Sequence, residues 1–424
     1  MSEHSKNTIA KPRLLRFNLK GLLVFVAILC AGLCWFRVTQ QKQIVRWVLK
    51  NGGSVDYSYE NSSKDQAVKK SPVSQWLVSL FGVDFVSPVE CVTVNTANSG
   101  EQLTPLRSLR SLRKLQAVVS YPSDLAPLSS LQHFEKLNLH VVGGAAAPGA
   151  GDLSTLAELK NLKRISLYCQ QIQDLKPLTQ IQNLEVLNLV TGSRVKNLES
   201  FGGLTNLREL SVGTAQDMTP LASLKNLESL SLGFTQWDVD LAPLSELTNL
   251  RVLSFGQSSV RDLTPLAGLK NLEGLFFKQS LVSDIGPLSK LTRLRTLSLG
   301  DTAGIVDLTP LYSLTNLEKL FLGNAKFDDL TPLLALRNLE TLSLGNTFVN
   351  DLKPIDSLKN LKELELTHPR RSLALDEAEG IDLVPLKNLP KLETLIINRA
   401  YVGEDELERL KSRLSECHIN SKQP

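Results

Sequence analysis

Side chains that could shuttle a proton, attack a substrate or hold a metal are few in this chain and fall in no useful pattern. The five histidines (His4, His133, His140, His368 and His418) are scattered. No HExxH, GxSxG, phosphate-cradling glycine loop or CxxC pair occurs. Cys30 and Cys34 lie in an apolar run, while Cys91, Cys169 and Cys417 stand far apart with no basic cluster beside them in sequence to lower a thiol pKa, and only Cys417 adjoins a histidine, His418. They read as small apolar packing residues. The densest polar cluster, THPRRSLALDEAEGID, sets His368, Arg370 and Arg371 against Asp376, Glu377, Glu379 and Asp382. It could meet a partner or a cation, but it lacks the alternating Asp/Asn spacing and distal Glu of a calcium loop. The expectation is no catalytic residue, no metal and no cofactor. Recognition is the chemistry left, and the residues best suited to it are Phe276 and Phe321, with Ser298 between them and Lys278 and Lys319 nearby.

The elements that place those residues follow from a repeat. Asn249 to Lys270, NLRVLSFGQSSVRDLTPLAGLK, is followed directly by NLEGLFFKQSLVSDIGPLSKLT, another 22 residues with the same apolar pattern. Leu253 and Phe255 are two apart, the period of a strand with one buried face; Leu263, Leu266 and Leu269 are three apart, the period of a tight helical turn. Burying seven apolar positions gains roughly 10–20 kcal/mol, against roughly 30 kcal/mol for ordering one unit. One unit alone cannot fold, and stacking lets each share its core and strand hydrogen bonds with two neighbours. Counted from Val92 to Leu395, the pattern predicts fourteen strands, a parallel sheet roughly 60 Å long. Prolines from Pro105 to Pro385 open the return segments, and asparagines such as Asn226, Asn249 and Asn271 precede the strands, where tight-turn geometry is expected.

Residues beside the buried leucines form columns on the inner face of the sheet. One alternates in sign (Arg251, Glu273, Arg295, Glu318) and reads as a ladder of cross-strand pairs. The middle one is mostly serine, interrupted by Phe276 and Phe321. Trp237 falls in register with Val260 and reads as core.

The pattern NLxxLxLxxxxxxDLxPLxxLx resembles the 22-residue leucine-rich repeat of bacterial internalin-type proteins. That resemblance implies an α/β solenoid, with a parallel concave sheet and short helical or 3-10 convex returns, that binds partners and has no chemistry of its own. In the family an asparagine ladder marks the strand exits. Here those positions are Ser258, Ser280, Thr302, Ala325 and Thr347, so hydroxyls would supply only part of that bonding.

Gly21 to Phe36 is 16 residues without charge between Lys20 and Arg37, short of the ~20 that usually span a bilayer. Snorkelling of the flanking cations and Trp35 at the interface favour a retained single-pass anchor over a cleaved signal peptide. Five basic residues before it against four after it (Arg37, Lys42, Arg46, Lys50) put the repeats on the exocytoplasmic side. The order of basic start, short anchor, Gly-Gly-strand segment, helix and repeats resembles the membrane-anchored leucine-rich repeat proteins of planctomycete-type bacteria. The expected organisation is a cytosolic tail (1–20), transmembrane anchor (21–36), juxtamembrane helix, strand and linker (37–70), cap helix (71–86), repeats (87–403) and C-terminal cap helix and tail (404–424). Of the 47 basic and 43 acidic residues, nine basic and one acidic precede residue 51. The rest is therefore slightly acidic, without the basic stripe that nucleic acid would require. The reading is a membrane-anchored scaffold for an unknown protein ligand, with self-association through the repeats as the alternative.

Overall fold

The computed structural model describes residues 19–57, 79, 83–97, 103–143, 149, 151–191, 199–214, 217–234, 239–300, 304–367, 382–398 and 404–422, except for single positions 171, 173, 325, 348, 350 and 415. They form a solenoid whose strands run in chain order, β1 to β16, in one sheet. Strand β1 (Ser54–Tyr57) is antiparallel to β2 (Val89–Asn95); every later neighbour is parallel, as a stack of like strand-and-return units requires. β2 to β15 (Thr394–Asn398) are the fourteen strands the repeat predicts.

Each unit turns on its leucines. In one, the N–H of Leu266 donates to the Leu263 carbonyl, Leu269 to Leu266 and Leu272 to Leu269, each at 2.9 Å, so a leucine every third residue is both a 3-10 hydrogen-bonded step and a core side chain. The strand then follows at Leu275. Proline occupies the first turn of the return, as Pro265 does in Thr264–Gly268, where its missing N–H leaves no bond unmade.

Two ladders of hydrogen bonds not foreseen in the sequence tie the turns. The asparagines before the strands sit in turns, as expected, but without left-handed backbone, which among the described non-glycine residues only Asn324 and Asn346 adopt, at the exits of β12 (Lys319–Phe321) and β13 (Thr341–Gly345), both at φ 57°. Asn226, Asn249 and Asn271 instead donate Nδ2 to the carbonyls of Thr205, Lys225 and Thr248 in the preceding unit, each at 2.9 Å. On the opposite edge an aspartate accepts from the N–H two residues on, opening each return: Asp217 from Thr219, Asp262 from Thr264, Asp307 from Thr309 and Asp329 from Thr331, all at 2.8 Å. These bonds, from the Thr side chain first and the backbone second, hold the four carboxyl groups below the usual aspartate range.

At the strand exits the hydroxyls do serve: Ser258 Oγ donates to the Gln279 carbonyl at 3.1 Å and Thr347 Oγ1 to the Leu344 carbonyl at 2.9 Å. Ser280 Oγ, buried, has no partner among the described residues. Asn346 Nδ2 donates to Asn324 Oδ1 at 2.8 Å, one residue before the exit positions where the sequence lacks the asparagine ladder.

Residues 19–50 form one helix, α1 (Leu19–Lys50), in which the apolar run continues without a break into the helix expected after it; its window from Leu22 is apolar enough to cross a membrane and is not buried. Its last turns insert Ile44 and Val48 into the core beside β1 and β2. Of the segment 71–86 assigned the cap, the structure describes residue 79 and the helix α2 (Val83–Val86), and the rest lies outside the described residues. At the far end α3 (Glu404–Arg413) buries Leu410, and the chain then adds β16 (His418–Lys422), an unforeseen strand, parallel to β15. Its sole strong apolar residue, Ile419, leaves no alternating signal.

Candidate protein-binding face

Strand register assembles the predicted residues. On β10 (Gly274–Gln279), Phe276 stands opposite Ser254 of β9 (Val252–Gln257) on one side and Ser298 of β11 (Thr296–Leu299) on the other; Phe321 stands opposite Ser298 and Ser343. The two phenylalanines therefore occupy one row, two strands or about 10 Å apart, with Ser298 between them. Both rings are partly exposed rather than fully so. The cause at Phe276 is Gly274: a Cβ there would lie 2.9 Å from a ring carbon, so the ring reclines over bare backbone. Phe277, one residue on, points inward and stacks on Phe255 at 5.0 Å between centroids. Lys278 and Lys319 are exposed on the same strands as the two rings. Beyond Ser343 the row leaves serine at Glu365 of β14 (Glu363–Thr367), which accepts from Ser343 Oγ at 2.8 Å and stands opposite Ile396 of β15. Arg370 and Arg371 lie outside the described residues, as do His368, Glu377 and Trp237.

A second patch on this face was not singled out in the sequence. Val118, His140, Tyr168 and Val190 are opposite one another on four consecutive strands, and His140 meets the Tyr168 ring edge-on at 6.1 Å between centroids. Tyr168 is 41% and Val190 51% exposed, high values for apolar residues on a sheet. The signal was there, in the position three beyond the core leucine. Further along, that position becomes glycine: a Cβ on Gly233 would meet the Gly213 carbonyl oxygen at 2.2 Å, and one on Gly256 the Gly233 oxygen at 2.5 Å. The two patches are thus separated by a lane where only glycine fits.

The charged column sits just ahead of the strands. Lys163 pairs with Glu135, Arg208 with Glu228, Arg251 with Glu273, Arg295 with Glu318 and Lys362 with Glu340. A hydrogen bond from Lys362 lowers the Glu340 pKa and raises that of Lys362. A groove of about 540 Å³ runs beside Arg208, Glu228, Arg251 and Glu273, walled by Asn226, Asn249 and Asn271. The cited ion pairs and amide bonds already engage its polar groups, so it has little left to offer a ligand. Among the described residues no three His, Cys, Asp or Glu side chains gather to hold a metal. Burial, with Asp56 second, pushes the Cys91 thiol up, away from the reactive thiolate.

Comparison with known proteins agrees with this architecture. The family model for leucine-rich repeats (two copies) matches residues 292–335, which include Ser298 and Phe321. The chain carries leucine-rich repeats. An internalin of Listeria monocytogenes is similar in structure, with 25% identity, 70% of this chain and 95% of that one covered, and a TM-score of 0.56. A leucine-rich repeat protein of Leptospira interrogans is similar in fold, with 23% identity, coverage of 77% and 95%, and a TM-score of 0.53. No curated protein matches the chain by sequence.

Proposed function

We propose that the chain is a non-enzymatic, membrane-anchored scaffold that binds a protein through its concave face and displays its repeats on the exocytoplasmic side. The observation that carries this is the row Phe276, Ser298, Phe321: two aromatic rings at regular spacing in an otherwise serine row, flanked by exposed Lys278 and Lys319. Partly exposed aromatics next to small residues give a partner both an anchor and room to approach it. Anchoring rests on α1, whose residues from Leu22 to Phe36 are exposed and apolar.

Crosslinking pull-down from intact membranes of the source cells, with the full chain beside a Phe276→Glu, Phe321→Glu variant of unchanged circular dichroism, tests the reading. One protein captured by the parent and lost with the variant supports it. The same capture by both places the site elsewhere; the 368–381 segment then becomes the next target. Capture of the chain by itself alone supports self-association.

A further inference from the structure

Where α1 leaves the solenoid, it does not lie flush. Gln41 ties the helix to the solenoid: its Nε2 donates to the Ser87 carbonyl at 3.0 Å and to Asp84 Oδ1 at 3.3 Å. Above it a cavity of about 430 Å³ opens between the helix and the first unit, a size typical of sites for small molecules. Its helix wall carries Leu33, Phe36 and Arg37; its solenoid wall carries Ser108, Arg110 and Ser111 at the end of the first return.

Its charge is one-sided. None of the described residues lining it is acidic, and neither Arg37 nor Arg110 forms an ion pair among the described residues. Of the carboxylates on the packed elements, Asp84 is held by Gln41 and by the Tyr57 hydroxyl at 2.8 Å, and Glu90, beside the lining residue Val89, pairs with Arg113. Its level matters as much. Arg37 is the first charged residue after the uncharged run, and Leu33 and Phe36 are 54% and 59% exposed. If the run is in a bilayer, the cavity lies at headgroup depth, open on its apolar side to the acyl region.

We propose that this cavity holds the headgroup of an anionic phospholipid, its phosphate between the Arg37 and Arg110 guanidinium groups and its upper acyl segments against Leu33 and Phe36. Planar guanidinium forks suit phosphate oxygens, and Ser108 and Ser111 hydroxyls can donate to the remaining ones. The lipid would brace the solenoid against the helix on the apolar side of the Gln41 hydrogen bonds. This inference rests on the membrane reading of α1 and adds a specific ligand to it.

The test uses the full chain reconstituted into phosphatidylcholine vesicles containing a minor share of phosphatidylglycerol. Two readouts are kept apart: insertion, by resistance to alkaline carbonate, and lipid retained after gentle detergent extraction, by native mass spectrometry. The Arg37→Gln, Arg110→Gln variant should insert like the parent but lose retained phosphatidylglycerol by about tenfold or more, the scale of one charge-assisted hydrogen bond. Arg107→Gln, an exposed charge on the same return outside the cavity, should retain it. Equal loss from Arg107→Gln, unchanged retention in the double variant, or displacement by inorganic phosphate alone would each overturn the pocket while leaving the anchor intact. A parent chain that does not insert overturns both.

Discussion

Phe276 and Phe277 are adjacent in sequence and opposite in role, so substituting each in turn tests the register on which the binding face depends. Phe277 is 1% exposed, stacked on Phe255 within 3° of parallel. Phe277→Ala should cost about 3–5 kcal/mol for the cavity, including about 0.5–1.5 kcal/mol of ring stacking. Phe276 is partly exposed, and the residues beside it in the row, Ser254 and Ser298, are serines. Phe276→Ser repeats its neighbours; roughly half of a full aromatic burial, about 1 kcal/mol, is all it can lose. Guanidinium denaturation of the full chain in detergent, followed by far-ultraviolet circular dichroism, gives both values. If Phe276→Ser destabilises as much as Phe277→Ala, the ring is a core residue, the register is wrong, and the proposed anchor falls with it. If Phe276→Ser is cheap but abolishes capture of the partner, stability and recognition have been separated at one residue.

Glycine positions in the neighbouring row give a second contrast: Gly256→Ala meets backbone at 2.5 Å and should cost about 1–3 kcal/mol, whereas Gly300→Ala, whose nearest contact is 3.7 Å, should be close to neutral by the same melt. Asn249→Ala removes one inter-unit bond to the Lys225 carbonyl and should cost about 1 kcal/mol in the same assay; a null result would make the amide ladder dispensable. The aspartate ladder makes stability acid-sensitive. Because Asp217, Asp262, Asp307 and Asp329 have folded pKa values below their unfolded ones, their contribution is present above the unfolded aspartate range and fades as pH falls through the lowered values. Replacing the four by asparagine should flatten the acid limb of Tm against pH, and an unchanged limb would show that other carboxylates set it.

The solenoid was legible because its signal is repeated: one leucine spacing of two and three, read in a single unit, is corroborated by every neighbour, and packing enforces the same register throughout. The roles of repeated polar letters were harder to read. The asparagine before each strand was assigned to turn geometry because asparagine tolerates left-handed backbone, yet its amide spans two units, a contact that exists only once the units stack. The aspartate two residues before each proline-bearing turn went unexplained for the opposite reason, its bond being local but of a kind that many residues in a loop could make. Non-repeating parts had no such averaging. There the apolar run, the helix after it and the Gly-Gly stop were each readable from local chemistry, and the structure joins them in one helix, α1, which Gly52, at φ 66°, ends. That continuity bears on function. If the apolar part of α1 is the proposed membrane anchor, a solenoid whose end cap is the same helix, buried through Ile44 and Val48, is fixed in its presentation, whereas one on a flexible linker could present any face. Inserting two glycines after Arg37 would free it. If capture through Phe276 and Phe321 depends on a fixed orientation at the membrane, that insertion should reduce capture in intact membranes while leaving capture in detergent unchanged; equal capture in both would show that the concave face works independently of its anchor.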